Sequence, residues 1–230
     1  LASTQITARE NVKNEIAYDG DVIVTAEQTG GYGRRGRSWQ HQPGNVYMTL
    51  TRFFSDENKE MLQHYGFIAS LAIASACREL LENTMAQTVI KWPNDVLVND
   101  AKIAGILLER VDHKLLLGVG VNLVTPQGVD QNVVGLDQFL PQPILPIDFI
   151  TLFLRHFLLH EEQLKNEGFA MIRHLWLVQA KGVGQPITAR LANGTVLTGN
   201  FLDLDQHGAL LLDTGEMIKT ITSADIFFAE

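Results

Sequence analysis

The sequence predicts an α+β fold, a mixed and largely antiparallel sheet with helices, followed by a small SH3-like β-barrel. Three observations predict it. Between Val89 and Leu123, β-prone runs alternate with breaks and turn signals, as in an antiparallel meander. Two segments, about Asn58 to Asn83 and Asp148 to Glu167, carry apolar residues at helical spacing. Composition then shifts near Gly182 to short β-prone runs parted by turn residues, the pattern of a small barrel. The expected division is therefore 1–182 and 183–230.

Bulk properties narrow the function. With 230 residues, one catalytic-sized core plus a small appendage is expected. Near-average apolar content and 19% charged residues indicate a soluble globular chain, neither disordered nor membrane-bound. No apolar run approaches the roughly 20 residues of a membrane span. The formal charge of −8 argues against a general nucleic-acid binder, which needs a basic face. Cys77 is the only cysteine, which excludes internal disulfides and a CxxC metal site and makes a reducing cytoplasm the simplest setting. Leu1 is not a start methionine and no signal pattern precedes Ser3, so the chain reads as processed or trimmed.

The elements follow in order. A short helix-like segment contains Ile6, Arg9, Val12 and Lys13, and Ser3 or Thr4 stands where its N-cap would. Asp21 to Ala26 reads as a buried-type strand, and after the glycine loop Val46 to Phe54 reads as another. The first helical segment is a long amphipathic helix, with Cys77 as core filler. Pro93 forces Lys91-Trp-Pro-Asn-Asp95 to break or bulge the sheet, and Asn99-Asp100 is a turn. Ala101 to Glu109 returns, and Leu115 to Leu123 completes the meander. Phe139 to Pro146 is a proline-punctuated connection; helices cover Asp148 to Glu167 and Phe169 to Val178. His156, His160 and His174 lack ligand-type companions and read as ordinary helix histidines. The barrel strands are placed at Pro186 to Leu191, Val196 to Leu204, Ala209 to Leu212, Met217 to Thr222 and Ile226 to Ala229.

The chemistry centres on the stretch between the first two strands. Four glycines and three arginines fall between Gly30 and Arg37. Glycine lets backbone approach a ligand closely, and arginine forks match phosphate and carboxylate oxygens. A Rossmann or Walker loop opens a helix, whereas Ser38 to Thr51 has no helical period. The stretch is therefore read as an anion-binding loop between two strands. Lys102 heads an otherwise apolar run and is suited to stabilise charge on a phosphate. Asp95 and Asn122 offer oxygens to a magnesium ion, and each by itself also suits a turn. Trp39 offers a stacking face or simply packs. Gly118 and Gly120 strip side chains from their strand and leave room for something to approach. No Ser-His-Asp or Cys-His arrangement points to covalent catalysis, so positioning plus electrostatics on an activated phosphate is the chemistry expected, and adenylation fits it.

Over nearly its whole length the chain resembles the biotin protein ligases. The matching pieces are Ser3-Thr4-Gln5, Gln28 with Gly31-Tyr-Gly-Arg-Arg-Gly-Arg37 and Trp39, Lys91-Trp-Pro-Asn-Asp95, Lys102-Ile-Ala-Gly-Ile106 and Gly118-Val-Gly-Val-Asn122. The resemblance implies a class II synthetase-like catalytic sheet and a two-step reaction. Biotin and ATP, with Mg2+, give biotinyl-5′-AMP, and a lysine of a biotin carboxyl carrier domain then takes the biotin. It implies biotin contacts from Ser3, Thr4, Gln5, Gln28, Gly31, Tyr32, Gly33, Arg34, Trp39, Lys102 and Gly105. It implies ATP contacts from Arg34, Arg35, Arg37, Trp39, Lys91, Asn94, Asp95, Lys102 and Asn122. Lys102 and Arg34 match the catalytic positions, and Asp95 and Asn122 the metal side. Two residues depart from the usual pattern: Gln5 replaces Asn, and Tyr32 replaces an Arg, which removes one charged contact from the loop. The rival of the same fold is a lipoate or octanoate ligase. The rival of another class is the ligase fragment of a DNA-binding repressor, although this acidic chain leaves no room for a DNA-binding domain before Ser3. No DNA binding and no membrane association are expected, and an exposed sheet edge makes a homodimer possible.

Overall fold

The computed structural model describes residues 1–56, 59–128 and 132–228. Two antiparallel sheets organise them. Helix α1 (Thr4–Lys13) begins at Ser3, whose hydroxyl oxygen accepts the Gln5 N–H and satisfies one free donor of the first turn. Strands β1 (Val22–Val24) and β2 (Val46–Phe53) pair antiparallel, with the glycine loop between them. The strand expected over Asp21 to Ala26 is thus shorter, and it is not buried: its three residues grade from half-buried to exposed, because it is an edge paired on one side only.

A 3-10 turn at Lys59–His64 leads into helix α2 (Tyr65–Leu81). The expected start at Asn58 lies outside the described residues. The helix is also not amphipathic, since thirteen of its 17 residues are buried. It runs between the sheet and two later helices, α3 (Pro146–Glu167) and α4 (Phe169–Gln179), so no side of it faces water continuously. Cys77 is buried there and its thiol is pushed up to about 12 by desolvation, as suits core filler.

Strands β3 (Thr88–Lys91), β4 (Asp95–Val98), β5 (Ala101–Val111) and β6 (Lys114–Val121) form the meander. β6 then pairs with β2, giving the order β1-β2-β6-β5-β4-β3. The Lys-Trp-Pro-Asn-Asp stretch supplies the β3–β4 turn, and the Trp92–Pro93 peptide is cis.

Alternation along the strands gives the sheet two different faces. Val46, Met48 and Leu50 of β2, with Leu115, Leu117, Val119 and Val121 of β6, enter the core shared with α2. The intervening residues face the other way. There Leu116 packs against Ala8 and Val12 of α1, and Thr49, Gly118, Gly120 and Gly105 fall in register beside it. One face is sealed by helices; the other is only partly covered. The site lies on the second.

A buried ionic group joins the sealed side. The Glu161 carboxylate of α3 accepts from Arg52 of β2, from the Tyr65 hydroxyl at 2.7 Å and pairs with Lys165 at 3.1 Å. Burial pushes this carboxyl up, but the hydrogen bonds from Arg52, Tyr65 and Lys165 outweigh it and hold it below the usual value. A depressed folded-state value stabilises the fold above the unfolded glutamate range, and the benefit is lost as pH falls through it. Glu161→Gln should therefore flatten the acid limb of a melting-temperature profile. An acid limb identical to wild type would remove Glu161 as a source of acid sensitivity.

The second sheet contains β7 (Pro186–Leu191), β8 (Val196–Leu204), β9 (Leu210–Asp213), β10 (Ile218–Ile221) and β11 (Ala224–Phe228). Its order is β10-β9-β8-β7-β11, consistent with a small SH3-like domain. Among the described residues no pairing of β10 with β11 closes it into the expected barrel. Ala229 and Glu230, the expected ends of the last strand and domain, lie outside the described residues. No helix among the described residues is long and apolar enough to cross a membrane.

Candidate active site

The open face of the first sheet carries a cavity of about 690 Å³, roofed by the glycine loop and bordered by β11. Its floor exists because three strand positions lack side chains. A Cβ on Gly118 would lie 2.8 Å from Gln5 Oε1, and one on Gly120 would lie 2.6 Å from Trp39 Cε2. Gly105 faces Trp39 in the same way, at 2.8 Å from its ring. What approaches this strand in the structure is therefore the chain's own Gln5 and Trp39. All the residues expected from the resemblance line the cavity except Gly31, which sits behind the wall against Gln28.

The first turn of α1 meets the floor. Ser3, Thr4 and Gln5 are each buried. The Gln28 side-chain oxygen accepts the Thr4 N–H at 2.9 Å. Thr49 brings its hydroxyl to 2.9 Å from Thr4 Oγ1 and 3.0 Å from Gln5 Oε1. Gln5 Nε2 donates to the Leu116 carbonyl at 3.1 Å, a reach across to β6 that its length allows. Ser3 is thus both N-cap and cavity wall, so the two readings of it from sequence are compatible.

The loop closes on itself by a bridge between Tyr32 and Ser38 and by the Gly33 N–H donating to the Arg37 carbonyl at 2.8 Å. Arg35 sits in the left-handed region, at φ 58°, which turns its side chain towards the second sheet. There Asp225 of β11 pairs with Arg35 at 3.2 Å and with Arg37. The Arg37 hydrogen bond holds the Asp225 carboxyl below the usual range. Arg34 donates to Asn94 Oδ1 at 3.2 Å and to Ser223. Burial lowers its guanidinium value, so this cation is held in a partly dehydrated place. Tyr32, expected as a biotin contact that costs the loop one charge, lines the cavity, and its hydroxyl donates to Glu109 and accepts from Arg9.

Lys102 reaches the cavity through a fault in the sheet. The pairing of β4 with β5 runs Val96 to Ala104 and then Leu97 to Lys102, leaving Ile103 without a partner on β4. In a regular strand residues three apart face opposite ways. The bulge instead turns Lys102 to the face of Gly105, as bulges near sites commonly do. Its ammonium pairs with Asp95 at 2.7 Å and lies 5.3 Å from the Trp39 ring centroid. Lys91 stands nearby with its value lowered by burial. Asn122 is buried, and Asn45 holds its turn by accepting from the Leu123 and Val124 N–H groups at 2.9 and 2.7 Å.

Sequence reasoning missed Arg9, Asn45, Thr49, Glu109, Ser223 and Asp225. None lies in the glycine and arginine loop or in the Lys91 to Asp95 stretch; Arg9 meets Tyr32 across 23 residues of sequence, and the others meet the site through contacts at least 44 residues away.

Comparison with known proteins gives the family. Residues 1–124 match the model of the biotin/lipoate A/B protein ligase family, and residues 182–229 match the biotin protein ligase C-terminal domain. The chain belongs to the biotin/lipoate A/B protein ligase family. Within it, the chain is 35% identical over 247 residues to the biotin–[acetyl-CoA-carboxylase] ligase of Paracoccus denitrificans, covering 99% of each. It is 35% identical to the bifunctional ligase/repressor BirA of Bacillus subtilis, covering 98% of this chain and 71% of that protein. Among solved structures, the biotin protein ligase from Aquifex aeolicus in complex with biotin and ATP superposes with a TM-score of 0.83 at 25% identity, over 99% of this chain and 95% of that one.

Proposed function

We infer that this chain is a biotin protein ligase. It activates biotin with ATP to biotinyl-5′-AMP and transfers the biotin to a lysine of a biotin carboxyl carrier domain. The observation that carries the reading is the convergence of Lys102, Arg34 and Trp39 on one glycine-floored cavity, in a chain whose full-length relative is a biotin ligase. In the first step the biotin carboxylate attacks the α-phosphorus and pyrophosphate leaves. In the second the carrier amine attacks the acyl carbon and AMP leaves.

The roles we propose follow the chemistry of each group. Ser3, Thr4, Gln5 and Gln28 form the end that recognises biotin, with Gly31, Tyr32, Gly33 and Gly105 shaping its walls. Trp39 offers the adenine a stacking face, and its indole N–H is buried without a hydrogen-bond partner among the described residues. Lys102 stabilises charge at the reacting oxygens, and Arg34, Arg35, Arg37, Lys91 and Asn94 hold the phosphates. Among the described residues no three His, Cys, Asp or Glu side chains form a metal cage. One carboxylate, Asp95, and one amide oxygen, Asn122, suit a magnesium ion that arrives on the triphosphate and neutralises it. The division into a catalytic unit of 1–182 and a C-terminal unit of 183–230 belongs to the same proposal. So do a cytoplasmic setting, indifference to DNA and pairing of two copies along an exposed sheet edge.

A thermal-shift comparison separates this reading from a lipoate ligase. A ligand that binds only the folded state adds roughly 2.7 kcal/mol at a hundredfold excess over its Kd. Biotin should raise the melting temperature and lipoate should not. The reverse result would overturn the assignment.

A further inference from the structure

A phosphate loop faces two opposing demands. Its arginines must be free to meet an anion, and its base must stay where it is while they do. The arginine side of this loop is tied down by groups that an incoming phosphate would displace. Arg35 and Arg37 share the Asp225 carboxylate, and Arg34 uses Asn94 and Ser223. A triphosphate competes directly for those guanidinium groups, so these ties cannot hold the loop once nucleotide is bound.

The other side is tied differently. The Tyr32 hydroxyl accepts from Arg9 Nη2 at 2.7 Å and lies 3.1 and 3.2 Å from the two Glu109 carboxylate oxygens, to which it donates. Arg9 and Glu109 close the triangle with an ion pair at 2.6 Å. Burial, and then the Glu109 charge, raise the phenol above its usual value, so it stays neutral and keeps its proton for Glu109. Arg9 lies one turn beyond Gln5 on α1, and Glu109 lies on the open face of β5, in register with Leu116 under α1. The triangle therefore fastens the loop to the helix whose first turn borders the cavity and to the sheet beneath it.

We propose that Tyr32 is a positioning residue for adenylate formation, an uncharged anchor that phosphate cannot compete for, acting through Arg9 and Glu109. An arginine in its place would meet Arg9 as a like charge and would itself be drawn to the nucleotide. The tyrosine gives up one phosphate contact and holds the loop base through substrate exchange instead. The Tyr32–Ser38 bridge then transmits that hold to the arginines.

The proposal rests on the biotin ligase reading, and its test keeps the two apart. Biotinyl-5′-AMP formation is measured for wild type, Tyr32→Phe, Glu109→Gln and the double variant, with KM for ATP and for biotin and escape of free adenylate. Removing one hydrogen bond to a charged partner should raise KM for ATP on the order of tenfold and increase escape, with a clearly smaller change in KM for biotin. The double variant should be no worse than the weaker single one, because both act through one linkage. An ATP KM and an escape rate equal to wild type in Tyr32→Phe would overturn the anchor. So would equal rises in both KM values accompanied by a fall in melting temperature, which marks a merely structural tyrosine. If wild type itself forms no biotinyl adenylate, the function is wrong and not only the anchor.

Discussion

Lys102→Ala is expected to slow adenylate formation by on the order of 10²–10³ while biotin still binds. The ammonium is held at the cavity by the β5 bulge, by Asp95 at 2.7 Å and by the face of Trp39. Loss of stability does not account for an effect of that size. Both members of the Lys102–Asp95 pair keep 23% of their side-chain surface accessible. The pair therefore lies between a solvated bridge, worth about 0–1 kcal/mol, and a buried one whose rupture costs about 3–5 kcal/mol. The protein should stay folded while the charge that develops around the α-phosphate loses its partner. Single-turnover pyrophosphate release together with biotin calorimetry reads both quantities. Release at the wild-type rate would end the catalytic assignment of Lys102.

Arg34→Gly should turn the enzyme into a source of free biotinyl adenylate. The adenylate is a mixed anhydride, reactive towards any amine, and has to be retained until the carrier lysine arrives. Closing a flexible loop costs about 1–2 kcal/mol for each residue fixed, and contacts made by its arginines must offset that. Among the described residues, Arg34 is the loop arginine hydrogen-bonded both to the β3–β4 turn, through Asn94, and to the β10–β11 turn, through Ser223. Its removal frees the loop from Asn94 and Ser223, so that only the Arg35 and Arg37 pairs with Asp225 still tie its arginines to the second sheet, while the Lys102–Asp95 pair and the α1 end of the cavity stay in place. The mutant, incubated with biotin, ATP and an unrelated lysine-rich protein, should label that bystander strongly on a streptavidin blot. A mutant that makes adenylate yet labels no more than wild type would show that the loop does not retain the intermediate.

The residues of both predictions were found in the same way. Lys102 and Arg34 were legible because they sit inside contiguous motifs, where glycine and charge mark the chain whatever its fold. The partners that give them their working geometry were not. Glu109 meets Tyr32 across 77 residues of sequence, and Asp225 meets Arg37 across 188. An isolated Asp or Glu on a β-prone run carries no sign of what it will pair with.

The sequence by itself determined the order and type of the elements, the meander, the break at Pro93 and the position of the anion loop between two strands. These follow from local causes: apolar period, turn residues and the proline that cannot donate to a ladder. Only the tertiary structure decided the rest. α2 reads as one-sided because apolar residues such as Ile68, Ala72 and Ala76 recur at helical spacing, yet layers pack on both sides of it and Phe67, Ser70, Leu71 and Ala74, outside that stripe, are buried as well. The register shift that leaves Ile103 unpaired turns Lys102 to the ligand face, and register depends on the neighbouring strand. The open second sheet and its Asp225 reach the loop from the far end of the chain. Local propensity names the groups; long-range register and packing decide which of them share a cavity.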